Sequence, residues 1–324
     1  MILRPFQSNQ AFVYGLLFPT IVAFYLLNGY FHHYTYNPVI ELGLWGKIEL
    51  ENQTISMVLA GIFISINAFQ INYLFNKHEF LDRNIYAPSL FYVILMSLSQ
   101  TFYAFNSLLI VHFCWLQVIR LLFHMRPGED NRTQAFNAAL FIGIASTFVP
   151  ATATLFLGVW FAAWALKSFN FREWVLMIFG FCFPLANAAV FWWYSGHSFG
   201  RSLLRHSKLI KYEDYIFYTT IGSVFVLFLL SLIGIQIRIR KSSIRFKKLN
   251  RALVILLIFS LFFGVAELVF YQQVEWFTLM FIPLSFFFTF AFIHDFWKKV
   301  ATTLYYLILL ITVGKFFLPY AVGF

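Results

Sequence analysis

Apolar stretches of about 15 to 23 residues follow one another along the chain, separated by short polar links. At 1.5 Å per residue, a helix of that length matches the roughly 30 Å hydrocarbon core of a bilayer. The segmentation predicts spans at 11–31, 55–75, 87–104, 106–124, 134–149, 151–167, 174–194, 216–237, 252–271, 276–293 and 300–320. The expected fold is all-α: a polytopic transmembrane helix bundle of about eleven spans (10–12), built as one membrane-embedded domain over residues 1–324. The fifth and sixth stretches are short and meet at Pro150, so 134–167 reads as two tilted helices, a re-entrant pair or one span. The first stretch is longer than the apolar region of a signal peptide and lacks a small-residue cleavage site, so a retained span is expected.

Composition supports the same class. The chain is 61% hydrophobic and 11% charged, against roughly 25% charged residues in a soluble domain. Its net charge of +10 would suggest nucleic acid in a soluble protein. In a membrane protein the excess of cytoplasmic Lys and Arg accounts for it, and no nucleic-acid partner is expected. Cys114 and Cys182 both lie inside apolar runs, with no metal-ligand spacing, so neither a zinc site nor a disulfide framework is predicted.

The basic residues also choose an orientation. With the N-terminus in the cytoplasm, 17 of the 23 Lys and Arg residues fall on the inner side. The other six are Lys47, Arg201, Arg205, Lys208, Lys211 and Lys315. Two basic segments, 195–215 and 238–251, flank one span and therefore lie on opposite faces. The second, RIRKSSIRFKKLNR, carries seven basic residues in 14 positions and no acid, so it takes the cytoplasmic side as a basic loop that attracts anionic lipid. The first is left outside. Its Phe199, Leu203 and Ile210 fall on one side of a helix and Arg201, Arg205 and Lys208 on another, the pattern of an amphipathic segment lying along the interface.

The outer face carries the candidate chemistry. The first outer loop, 32–54, brings His32, His33, Glu41, Glu49 and Glu51, and its Val39, Ile40, Leu42, Leu44 and Trp45 suggest a membrane-surface element. Ionisable groups inside spans are costly and point to function by default. Glu267 is placed about one turn below the outer surface and His112 about two turns below it. Glu41 or Glu267 would act as general acid or base, and Arg201, Arg205, Lys208 and His206, with His112, would bind. The structural alternatives are a Glu267 paired with Lys315 and a His112 satisfied by packing neighbours. Asn67, Gln70, Asn72, Ser97, Ser99, Gln100 and Asn187 read as interhelical hydrogen-bonding positions.

Other chemistries find no motif. The chain has no P-loop, GxGxxG, HExxH or GxSxG sequence and no clustered histidine boxes. No metal and no cofactor is expected.

The stretch from Ala135 to Tyr194 contains ALFIGIAS, a short apolar pair around Pro150, FNFREW and GFCFP. It resembles a family of multi-pass inner-membrane proteins from Bacteroidota known as a domain of unknown function. The resemblance implies the inner membrane of a Gram-negative cell. More loosely, the layout is similar to membrane glycosyltransferases of the C-type fold and to polysaccharide polymerases. That similarity would give Glu41 the acid or base role, with Arg201, Arg205 and Lys208 on the phosphate of a polyprenyl-linked sugar, although the paired Asp-Glu of many such enzymes is missing.

Three functions follow as expectations. The first is a non-catalytic component of a cell-envelope assembly or secretion machine that docks a partner protein or an anionic lipid head group at its outer face. The second is an envelope-glycan transferase or polymerase acting on a polyprenyl-phosphate sugar. The third is a lipid transporter or flippase.

Overall fold

Polar side chains decide where the apolar runs become helices. Asn52 Oδ1 accepts from the backbone N–H groups of Thr54 (2.9 Å) and Ile55 (3.3 Å), and α3 (Gln53–Lys77) starts there. Asn106 Oδ1 does the same for Leu109 (3.1 Å) at the head of α5 (Ser107–His124). Asn170 serves α8 (Phe171–Tyr194), accepting from the Arg172 N–H while its amide donates to Glu173 Oε1.

The computed structural model describes residues 3–6, 10–31, 37–168, 170–194, 215–271, 275–292 and 295–317. Its other helices are α1 (Leu3–Phe6), α2 (Leu17–Phe31), α4 (Ala87–Met96), α6 (Arg132–Phe148) and α7 (Leu155–Leu166), followed by α9 (Tyr215–Lys241), α10 (Ile244–Tyr271), α11 (Phe281–Phe288) and α12 (Asp295–Gly314). Two short strands, β1 (Val39–Glu41) and β2 (Lys47–Glu49), form an antiparallel hairpin. Among the described residues seven helices are long and apolar enough to cross a membrane: Phe12–Phe31, Gln53–Lys77, Ser107–His124, Phe171–Tyr194, Ile221–Lys241, Ile244–Ala266 and Trp297–Phe317. Three shorter apolar helices accompany them, Ala87–Met96, Pro150–Leu166 and Phe277–Phe292.

Two stretches depart from the pattern read in the sequence. The apolar run 87–104 stays α-helical only to Met96. Ser97 Oγ turns back to the Ile94 carbonyl (2.7 Å) and Ser99 Oγ accepts from the Thr101 N–H (3.2 Å), so a tight 3-10 turn at Gln100–Phe102 replaces the helix. The basic segment 238–251 is scarcely a loop. α9 runs to Lys241 and α10 begins at Ile244, which leaves Ser242 and Ser243 as the link and puts the seven cations on helix ends. The stretch 134–167 is two helices, broken at Val149, whose extended backbone leads into a 3-10 turn at Pro150–Thr154.

α5 is central. Of its apolar window 67% is buried, against 22% for α8. The core beneath it is aromatic: Phe80, fully buried, stacks on Phe75 at 5.2 Å and meets Phe286 at 5.5 Å. Large apolar side chains elsewhere face outward, including Leu26, Phe179, Phe262 and Leu310, each more than half exposed. In water such a surface would drive association; against lipid it is the solvated face. α6 and α8 touch backbone to backbone. A Cβ on Gly143 would lie 2.5 Å from the Phe181 carbonyl oxygen, and one on Gly180 would meet the carbonyl of Phe136.

The helix ends gather into two groups. At one end Lys77 Nζ meets His124 Nε2 (3.0 Å), the Tyr86 N–H donates to the Phe6 carbonyl (2.7 Å), and Arg238 binds Asp82. At the other the Phe105 N–H donates to Ser56 Oγ (3.0 Å), and the rings of Phe31 and Phe317 pack at 4.8 Å.

Candidate functional site

Three groups of polar side chains stand out from the apolar bundle. The first is buried at its centre. Asn67 on α3 donates through Nδ2 to the Tyr92 hydroxyl on α4 (3.3 Å), and that hydroxyl lies 3.1 Å from His112 Nδ1 on α5. His112 Nε2 is 2.9 Å from Thr278 Oγ1, in the 3-10 turn Glu275–Met280. With the Tyr92 proton on the His112 side, a neutral imidazole accepts at Nδ1 and donates from Nε2 to Thr278; the other tautomer reverses both bonds. Both imidazole nitrogens are thus occupied, and no member is more than 2% exposed. This chain ties four elements together. Two further contacts act in the same way, Gln117 Nε2 donating to Gln70 Oε1 (2.9 Å) and Asn72 Nδ2 donating to the Tyr14 hydroxyl (2.9 Å). Asn67, Gln70 and Asn72 are thus the interhelical hydrogen-bonding positions expected of them.

The second group holds the hairpin. Trp45 Nε1 donates to Thr147 Oγ1 at the end of α6 (2.9 Å), and Trp192 Nε1, near the end of α8, donates to the Leu44 carbonyl. Gly43 has φ +60°, and its α-carbon sits against the Phe148 carbonyl, where a side chain would collide. Ile40 and Leu44 are buried, while Ile48, paired directly opposite Ile40, is 50% exposed. Glu41 stands opposite Lys47 across the strands, its Oε1 3.0 Å from Nζ. Leu44 and Trp45 of the hairpin therefore pack on the ends of α6 and α8, a seat that the run of apolar residues from Val39 to Trp45 did not reveal.

The third group lies at the opposite end. The guanidinium of Arg238 reaches both Asp82 carboxylate oxygens at 2.7 Å, and its Nε donates to the Phe80 carbonyl (3.1 Å). Asn76 brackets the same loop by donating to the Ile85 carbonyl (3.0 Å) and accepting from its N–H (3.2 Å). His124 Nδ1 is 2.6 Å from the Arg120 carbonyl, which can only accept, so Nδ1 carries the proton and Nε2 accepts from the Lys77 ammonium. His78 sits just beyond α3 with its ring 5.8 Å from that of His124. Burial, then the electrostatic influence of the neighbouring Arg245, His124 and Lys77, lowers its pKa from 6.5 to about 4. Lys167 and Glu173 form a buried ion pair between the end of α7 and the first turn of α8.

Most of the candidate site residues named from sequence lie outside the described residues. Arg201, Arg205, His206 and Lys208, with the segment 195–214, lie outside the described residues, as do His32 and His33. Glu267 is helical in α10, and its side chain is also outside them. Glu41 belongs to the hairpin, and His112 to the buried network. Lys315, named as a partner for Glu267, is buried: its ammonium donates to the Ser97 carbonyl and lies 5.0 Å from the ring centre of Tyr103. Tyr92 and Thr278 were missed, because a tyrosine and a threonine in apolar runs carry no signal of partnership. Among the described residues no group of three or more His, Cys, Asp or Glu side chains could hold a metal ion. No protein-family model, no curated protein and no solved structure matches this chain.

Proposed function

We propose that the chain is an eleven-pass protein of a bacterial inner membrane, with a cytoplasmic N-terminus, and that it serves as a non-catalytic component of a cell-envelope assembly or secretion machine. It docks a partner protein or an anionic head group at its outer face. The observation that carries this reading is the hairpin 39–49. Two indole hydrogen bonds fasten it to the ends of α6 and α8, and it presents Ile48 to its surroundings on a rigid support. Rigid apolar contacts at low ordering cost are what a docking surface needs.

Further support comes from the polar residues. The imidazole of His112 has both nitrogens committed to neighbouring helices, and Glu41 has a cross-strand cation, so both have structural work. The count of eleven takes the seven long apolar helices, the three shorter apolar ones and α6 as one pass each. The orientation rests on the seven cations at the α9–α10 link and on the Phe6–Tyr86 bond, which holds the N-terminal helix at the same end as Arg238.

The test is co-purification. Extracted from native membranes in mild detergent, the protein should carry a stoichiometric partner or retained anionic lipid, and Ile48→Glu should release the partner while leaving the protein folded. A clean monomer that carries neither overturns the reading. Loss of biological function in Glu41→Gln or Glu267→Gln, with the protein folded and abundant, would favour the glycan-transferase alternative.

A further inference from the structure

A second feature lies far from the hairpin, on the lipid-facing side of α7 and α10. Here the two helices leave an open groove of about 510 Å³, within the roughly 300–1,000 Å³ of small-ligand sites. Its walls are Phe161 and Trp164 from α7 and Ile255, Ile258 and Phe259 from α10, with Arg251 at one mouth. Phe161 and Phe259 stack at 5.8 Å, and Gly158 lets the Phe259 ring lie against the α7 backbone, which closes the groove away from Arg251. Trp164 is 56% exposed, so its indole forms a free apolar wall.

The charges sit where a head group would. Residues three and four apart stack on one helix face, so Lys247 and Lys248 lie one turn from Arg251 and Ile255 one turn beyond it. The face therefore passes from three cations to a wholly apolar groove. That switch falls where the hydrophobic part of α10 begins, at Ala252. None of the ion pairs among the described residues involves these three cations, whereas the nearby Lys167 is neutralised by Glu173. A partner with a charged phosphate and a long apolar tail complements both halves at once: guanidinium and ammonium groups for the phosphate, aromatic and branched side chains for an acyl chain.

We propose that the α7–α10 groove is a binding site for an anionic phospholipid, with the phosphate held by Arg251, Lys247 and Lys248 and one acyl chain lying between Trp164, Phe161 and Ile258. The site requires only that the chain is embedded in a membrane. It does not depend on the docking role of the hairpin.

The experiment uses the full chain in nanodiscs of phosphatidylcholine containing a small fraction of phosphatidylglycerol brominated on its acyl chains. Quenching of tryptophan fluorescence reports lipid beside the indoles, and the difference between the intact chain and Trp164→Phe isolates the contribution of Trp164. That contribution should be quenched several-fold more by brominated phosphatidylglycerol than by the same amount of brominated phosphatidylcholine. Arg251→Gln should lower the apparent affinity about tenfold, the scale of one charge-assisted hydrogen bond. Lys247→Gln with Lys248→Gln, on the exposed turn, should lower it further without touching helix packing. Three results would overturn the proposal. They are equal quenching by the two lipids, unchanged selectivity in the Arg251 and lysine variants, and displacement by millimolar inorganic phosphate, which would mark a free-phosphate site.

Discussion

Several buried polar groups in this bundle join one helix to another. The Asn67–Tyr92–His112–Thr278 chain is one such join. A hydrogen bond between helices in a membrane contributes about 0.6 kcal/mol on average, but a buried group left without its partner costs about 1–3 kcal/mol. Tyr92→Phe orphans both Asn67 Nδ2 and His112 Nδ1, so we expect it to lower stability by about 1–3 kcal/mol in a denaturation series. It should leave docking intact, which separates a packing histidine from a catalytic one. His78 gives a pH signature. The folded chain keeps it neutral down to about pH 4, while the unfolded chain protonates it near 6.5. Between these values the unfolded state binds the extra proton, so stability should fall as the pH drops through that window. Thermal unfolding at pH 7.5 and 4.5 measures the loss, and His78→Asn should reduce it. His112 could be recognised as unusual from sequence alone, since an imidazole in an apolar run stands out. Its partners could not, because they come from α4 and from the turn before α11, 20 and 166 residues away.

Elements are held by close backbone approach as much as by apolar burial. α6 and α8 meet at Gly143 and Gly180, where any side chain would strike a carbonyl of the other helix. Gly180→Leu should separate them at a cost of about 1–3 kcal/mol, read as a lower melting temperature. The hairpin is fastened by two indoles, of which Trp192 reaches its main chain. Trp192→Phe leaves the Leu44 carbonyl without its donor, and the hairpin amides should then exchange with solvent on the order of tenfold faster, while α5 amides keep their protection. Most helices could be placed from sequence because apolar length is a strong signal. The run 87–104 misleads for an identifiable reason: its hydropathy continues past Met96, but the serines of SLSQT bond back to the main chain and end the helix. The basic segment 238–251 misleads in the opposite way, since charge suggested a loop where helix ends continue to within two serines of each other.

At the scale of the molecule, orientation decides what the rest can mean. Seven cations at the α9–α10 link and the anchored N-terminal helix sit at one end, the hairpin at the other. The account places the first end in the cytoplasm and the second outside, together with the segment 195–214. The Lys and Arg tally lets an orientation be proposed from sequence, whereas the hairpin's seat on α6 and α8 could not be read there, because it depends on contacts more than a hundred residues apart. The most direct measurement is cysteine labelling in intact spheroplasts with a membrane-impermeant maleimide. Cys114 and Cys182 are first replaced by serine, and single cysteines are then introduced by Ile48→Cys, Ser207→Cys and Ser242→Cys. The account predicts labelling of the first two in intact spheroplasts and of the third only after lysis. Labelling of the Ser242→Cys variant in intact spheroplasts, with the other two protected until lysis, would contradict it and leave the outer face without its docking surface.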